Sequence, residues 1–213
     1  MKKFRNLFLI ITGTLFILNA CNLEINKTIR IEDGSVENSS LNSVNGGIII
    51  GKNCEINGDA RAVNGQIEVG ENSKVRDLQS VNGSISIARN VTVDGDIYAV
   101  NGSVSCEHGV TVMQDVNTIN GGIDLFQTYV HRDVSTRNGN IMVRDTSRIG
   151  GDIIIAQSDG QSKKHRHIDI TVADDSIVEG GVIVKDENVK VRVYLSNGGA
   201  INGKIVNAEV IEE

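Results

Sequence analysis

Apolar residues in this chain come in pairs two positions apart. Ile48 and Ile50, Ile67 and Val69, Ile85 and Ile87, and Val104 and Cys106 are examples. Such alternation marks short strands with one face turned inward. The pairs belong to a longer template. From Val44, apolar residues fall at Ile48, Ile50, Ile56 and Ala60, and Val63 restarts the count with Ile67, Val69, Val75 and Leu78. The same order returns from Val81, Val100 and Ile119. Gly, Asn, Asp and Ser fill the intervals, and these are residues that turn corners. Beyond residue 20 no segment keeps a helical period.

The template carries a marker. Val44-Asn45-Gly46 recurs as Val63-Asn64-Gly65, Val81-Asn82-Gly83 and Val100-Asn101-Gly102, then as Ile119-Asn120-Gly121 and Arg137-Asn138-Gly139. Successive Asn residues lie 19, 18, 19, 19 and 18 positions apart. A fixed period of this size signals a solenoid with one coil per repeat. The expected fold is all-β: a single-stranded parallel β-helix with 18–19-residue coils, preceded by a signal peptide. About eight coils, each one strand spacing thick, give a rod of roughly 40 Å.

Backwards, Ile25, Ile29, Ile31, Val36 and Leu41 fit the template, with Asn26 in the ladder position. Forwards, Ile141, Val143, Ile149, Ile153 and Ile155 fill the coil after Arg137. A polar excursion from Ser158 to His167 then breaks the pattern and is expected to project as a loop from one corner. Strand pattern resumes at Ile168, in longer and less regular coils, as terminal repeats often are. The chain therefore divides into a signal segment (1–20), regular coils (21–156), the excursion (157–167) and irregular coils (168–213).

The first twenty residues read as an address. Lys2, Lys3 and Arg5 precede apolar runs at 7–11 and 15–18, a secretory pattern too short for a comfortable membrane span. The run ends in Leu18-Asn19-Ala20-Cys21, which resembles the bacterial lipobox. The resemblance implies diacylglycerol on the Cys21 sulfur, cleavage before it, and acylation of the new amino group. Two or more acyl chains make attachment to a membrane stable. Asn22 follows, where aspartate is the inner-membrane retention signal in enteric bacteria, so the outer membrane is favoured in a two-membrane host.

Charge and composition narrow the partners. The formal charge is −6, and the signal segment holds three positive charges and no negative ones, leaving −9 on the rest. That balance disfavours nucleic acid and anionic headgroups. After residue 20 the aromatics are Phe126, Tyr98, Tyr129 and Tyr194 alone, too few to predict a stacking platform. Cys54 and Cys106 lie about three coils, or roughly 14 Å, apart, beyond disulfide reach, and are expected to be free thiols.

Two files of polar residues follow from the period. Asn45, Asn64, Asn82, Asn101, Asn120 and Asn138 would stack, each bonding the next coil's turn, with Gly at a positive-φ corner. Asp59, Asp77, Asp96, Asp115, Asp133 and Asp152 each precede the last apolar position of a coil. Corner aspartates cap local N–H groups. Stacked carboxylates are also hard oxygen donors, which makes a row of weak Ca²⁺ sites the sharper alternative. No cofactor or resident metal is otherwise expected.

Other chemistry is declined. Gly46–Lys52 has phosphate-loop spacing, but Asn53 replaces the hydroxyl residue and the match runs through a strand. His165 and His167 sit in a basic stretch without neighbouring acids or cysteines, and His108 and His131 fall at unrelated repeat positions. No nucleophile–base–acid set emerges, so an enzyme is not expected.

Short coils of alternating aliphatics with Gly-Asp and Asn-Gly corners, over roughly residues 25–205, resemble the bactofilins, bacterial polymer-forming β-helix proteins. The resemblance implies a compact parallel β-helix able to assemble end to end without nucleotide. Bactofilins act on the cytoplasmic side, whereas this chain carries a signal segment and lipobox. The expectation is a non-enzymatic envelope lipoprotein that serves as a rigid scaffold or self-assembling element. The alternative is an adhesion or binding module that holds an envelope protein or polysaccharide through its faces or the 158–167 stretch.

Overall fold

A computed structural model describes residues 23–24, 26–157 and 166–212. Cys21, the signal segment, Ile25 and most of the polar excursion lie outside the described residues. Every described regular element is a strand, and all of them pair in parallel into three sheets of ten, ten and nine strands. Each coil contributes one strand per sheet, so the chain is a three-sided parallel β-solenoid of about nine full turns.

One coil shows the construction. Leu41–Ser43 lies on face A, Ile48–Ile50 on face B and Glu55–Ile56 on face C, before Ala60–Ala62 returns to face A. The register is in step with the sequence period: Ile48 pairs with Ile67, Ile67 with Ile85, and Ile85 with Val104. Alternate side chains point inward, so one column of face B holds Ile48, Ile67, Ile85, Val104, Ile123 and Ile141, all buried. Burying one such side chain contributes on the order of 2 kcal/mol. Each coil adds several, and the core is one continuous apolar column.

Three corners join the faces, and each solves its geometry differently. At the Asn-Gly corner between faces A and B, glycine is required by close approach. A Cβ on Gly102 would lie 2.1 Å from the carbonyl oxygen of Gly83, and one on Gly121 2.0 Å from that of Gly102. None of these glycines has the expected positive φ; at this corner only Asn26 and Asn207 do, and the left-handed residues of the regular coils lie at the corner between faces B and C, at Gly34, Asn53, Asn72, Asn90 and Gly109. Gly and Asn occupy that column because they tolerate the left-handed region. The third corner, between faces C and A, carries the aspartates.

The first coil departs from the template. Val36 pairs with Glu55 and is 59% exposed, so it points outward, while Glu37 occupies the inward register above Ile56. A polar residue at the last inward position suits the end of a core. Small residues at inward positions also went unread in the sequence: Ser43, Ala62, Ser80, Ala99, Thr118 and Thr136 form a buried column. Their hydroxyls serve corner carbonyls, as Ser80 Oγ does by donating to Gly65 O at 3.1 Å.

The last coils are larger. Ile141 pairs with Ile170 and Ile170 with Val193, steps much longer than a regular coil. Face B widens there, since Arg166–Val172 and Val189–Leu195 each have seven residues. Arg166 and His167 therefore belong to a strand rather than to a projecting loop.

Candidate functional site

The asparagine file forms, and its bonding differs from the expectation. Each Nδ2 donates to the Oδ1 of the equivalent Asn one coil earlier: Asn64 to Asn45 at 2.8 Å, Asn82 to Asn64 at 2.8 Å, Asn101 to Asn82 at 2.9 Å, Asn120 to Asn101 at 2.9 Å and Asn138 to Asn120 at 2.7 Å. Asn45 donates to Asn26, which starts the file. The partners are side chains at the solvent edge, not the next coil's backbone. The file ends at Asn138, whose buried Oδ1 has no hydrogen-bond partner. The polar excursion lengthens the following coil, and no asparagine continues the stack.

The aspartates bind backbone. Oδ1 of Asp77, Asp96, Asp115 and Asp133 accepts the N–H of the next aspartate in the file at 2.8–3.0 Å, and Asp152 accepts that of Gly181 at 2.7 Å. The capping reading describes this geometry, although the N–H comes from the adjacent coil and not from the local turn. Asp59 stands apart because the next corner, Arg76-Asp77, is one residue shorter than Asn57-Gly58-Asp59. It is held by Arg61 at 2.7 Å, with Arg76 3.9 Å away. Among the described residues no three His, Cys, Asp or Glu side chains are placed to hold a metal ion together.

The remaining candidates are dispersed. The phosphate-loop spacing at 46–52 contains the strand Ile48–Ile50 and leads into no helix. His131 lies against Tyr129 with ring centroids 4.2 Å apart, and His167 is exposed on its strand. Cys54 and Cys106 are both free and buried. Burial, aided by the negative charge of Asp124, pushes the Cys106 thiol up to about 12. Such a thiol stays protonated and behaves as a small apolar side chain.

What the sequence reading missed lies on face B. Arg144 Nη2 contacts both carboxylate oxygens of Asp124 at 2.8 Å, and its guanidinium stands 5.9 Å from the Phe126 ring. Two coils on from Asp124, a related arrangement occurs: Arg192 grips Asp169 through two nitrogens at 2.9 and 3.1 Å and stands 5.6 Å from the Tyr194 ring on its own strand. Only register brings these groups together, since each partner pair is 20 or 23 residues apart. A third pair, Arg166 with the buried Asp186, ties the base of the excursion, where Arg166 also donates to Arg137 O at 3.2 Å.

Open grooves follow face B along the rod. One, of about 420 Å³, runs past Ile49, Glu68, Ser86 and Ser105. The next, of about 630 Å³, starts from Ser105 and reaches Asp124 and Phe126. A third, of about 410 Å³, is lined by Asn140, Met142, Asp169, Thr171, Tyr194 and Ser196. Comparison of the chain with known protein families, curated proteins and solved structures finds no significant match, so its relationships rest on the fold: an all-β parallel solenoid.

Proposed function

We propose that this chain is a non-enzymatic envelope lipoprotein, tethered to a membrane through lipid on Cys21 and used as a rigid β-helical scaffold or self-assembling element. The observation that carries the reading is the bare apolar positions in the outermost described coils. At the C-terminal end Val210 sits in an inward register yet is 41% exposed, and Ile201 and Ile205 are only partly covered. At the other end Ile29 and Ile31 are partly buried beside a groove of about 420 Å³. Bare apolar positions on an outermost strand favour the stacking of further strands. The bactofilin-like coil pattern and the lipobox supply the rest of the reading, including the preference for an outer membrane.

Two measurements test it. Replacing Cys21 with Ala should release the chain from the membrane fraction. Negative-stain microscopy of purified protein should show filaments or end-joined rods, and strictly monomeric particles at high concentration would remove the assembly element. A second reading, a module that binds an envelope polymer, is favoured by the grooves and ring–arginine pairs of face B.

A further inference from the structure

We propose that face B is a binding surface for an uncharged hexose-based polysaccharide, with its main subsite in the groove between Met142 and Tyr194. The proposal rests on the polymer-binding reading and adds the site and the class of ligand. Four observations converge on it. The groove is lined by one ring, one amide, one carboxylate, two hydroxyl side chains and a methionine, a mixture that offers a stacking surface amid donors and acceptors. Its one charged lining residue, Asp169, is already neutralised by Arg192 through two nitrogens, as Asp124 is by Arg144 further along the face. An anionic ligand would have to break those pairs, whereas sugar hydroxyls can bond the outer edges of guanidinium and carboxylate without separating them.

The third observation is topological. The strands beneath the groove are paired on both sides, Ile141–Arg144 with Arg166–Val172 and the latter with Val189–Leu195. Among the described residues, the segments that line the groove, 140–142, 169–171 and 192–195, leave no edge for an extended peptide to add a strand, the usual source of its affinity. Recognition here runs through side chains alone. The fourth is linear: the Phe126–Arg144–Asp124 set lies on the same face, about 14 Å along the rod from the Tyr194 level. Consecutive grooves continue beyond it, so the surface suits a chain rather than a single sugar.

Titration calorimetry of the full chain in detergent, with cellohexaose and hexa-N-acetylchitohexaose, tests this. Hexagalacturonate serves as the anionic control, and a peptide pool as the second macromolecular class. Saturable binding of a neutral oligosaccharide is expected. Tyr194→Ala should weaken it by about tenfold or more. Thr171→Trp, which fills the groove from an outward position without touching the core, should abolish it even if the Tyr194 variant folds poorly. Neutral-glycan binding that survives both variants would overturn the site while leaving a polymer-binding module intact. Binding confined to the anionic glycan or to peptides would overturn the ligand class. No binding at millimolar oligosaccharide would overturn the proposal outright.

Discussion

Residues 26–156 and residues 166–212 build the same three-sided solenoid by different means. In the first stretch, coils of one size repeat a single solution at each corner. Asparagines bond asparagines, glycines pass over glycines, and each aspartate from Asp77 onward holds the next backbone N–H. In the second, the coils lengthen and those files stop at Asn138 and Gly181. At the corner where the regular coils place asparagine, the longer coils place the buried Asp186, bonded to Arg166 and to the backbone N–H of Asn188. Repetition spreads stability over many small and equal contacts, whereas the irregular coils add the ion pair Arg166–Asp186, the most buried among the described residues. The irregular coils also carry the wide strands and the Tyr194 groove, while the Phe126–Arg144–Asp124 set stays on the regular ones.

The largest expected effect breaks the irregular half. Asp186→Ala strands the Arg166 guanidinium and should cost about 4 kcal/mol, seen as a lower denaturant midpoint. If stability is spread as evenly there as in the regular coils, the loss will be near 1 kcal/mol, and the contrast fails. Gly102→Ala probes the regular half, where its Cβ would meet a backbone carbonyl; about 3 kcal/mol is expected. Gly34→Ala, left-handed but with open space around it, should cost only about 1 kcal/mol.

The aspartate file comes next. Asp115→Ala leaves the Asp133 N–H without its acceptor, at about 2 kcal/mol, while Asp115→Asn keeps an oxygen there and should lose less. Melting with and without millimolar Ca²⁺ belongs beside it, since an unchanged midpoint ends the idea of a cation row. Asn101→Ala removes two exposed amide bonds, one given and one received, and should cost about 1 kcal/mol. A larger loss would mean that the amide file holds backbone after all.

A further effect is alkaline. Cys106 has its pKa raised by burial from 9.0 to about 12. Above 9 the unfolded chain gives up this proton first, so the folded state binds more protons and stability falls as pH rises from 9.0 to about 12. Melting temperatures followed over that range should fall less steeply for Cys106→Val. Tyr98, also raised by burial, contributes in the same direction, and Tyr98→Phe separates the two.

Most of the fold was legible because period and alternation act together. An 18–19-residue spacing stacks like on like, and a two-residue alternation decides which side chains face in. Val36 shows where the reading slips: in the outermost described strand of face C, the inward register goes to Glu37 and the apolar residue sits outside. Of the candidate site, the polar files were visible as spacings. The aromatics were too few to suggest a surface, yet register sets Phe126 beside the Arg144 guanidinium of the next coil, on the same face as Tyr194 and Arg192.

The sequence by itself determined the coil length, the inward columns and the membership of the asparagine and aspartate files, because each depends on distance along the chain. Only the tertiary structure decided what those files bond to, why glycine is needed at the Asn-Gly corner, and which charges meet rings on face B. These depend on separations of a few ångströms between coils 18 to 29 residues apart. A single corner residue gained or lost redirects such contacts, as the short corner at Arg76-Asp77 does for Asp59, without disturbing the apolar pattern that a reader of the sequence follows.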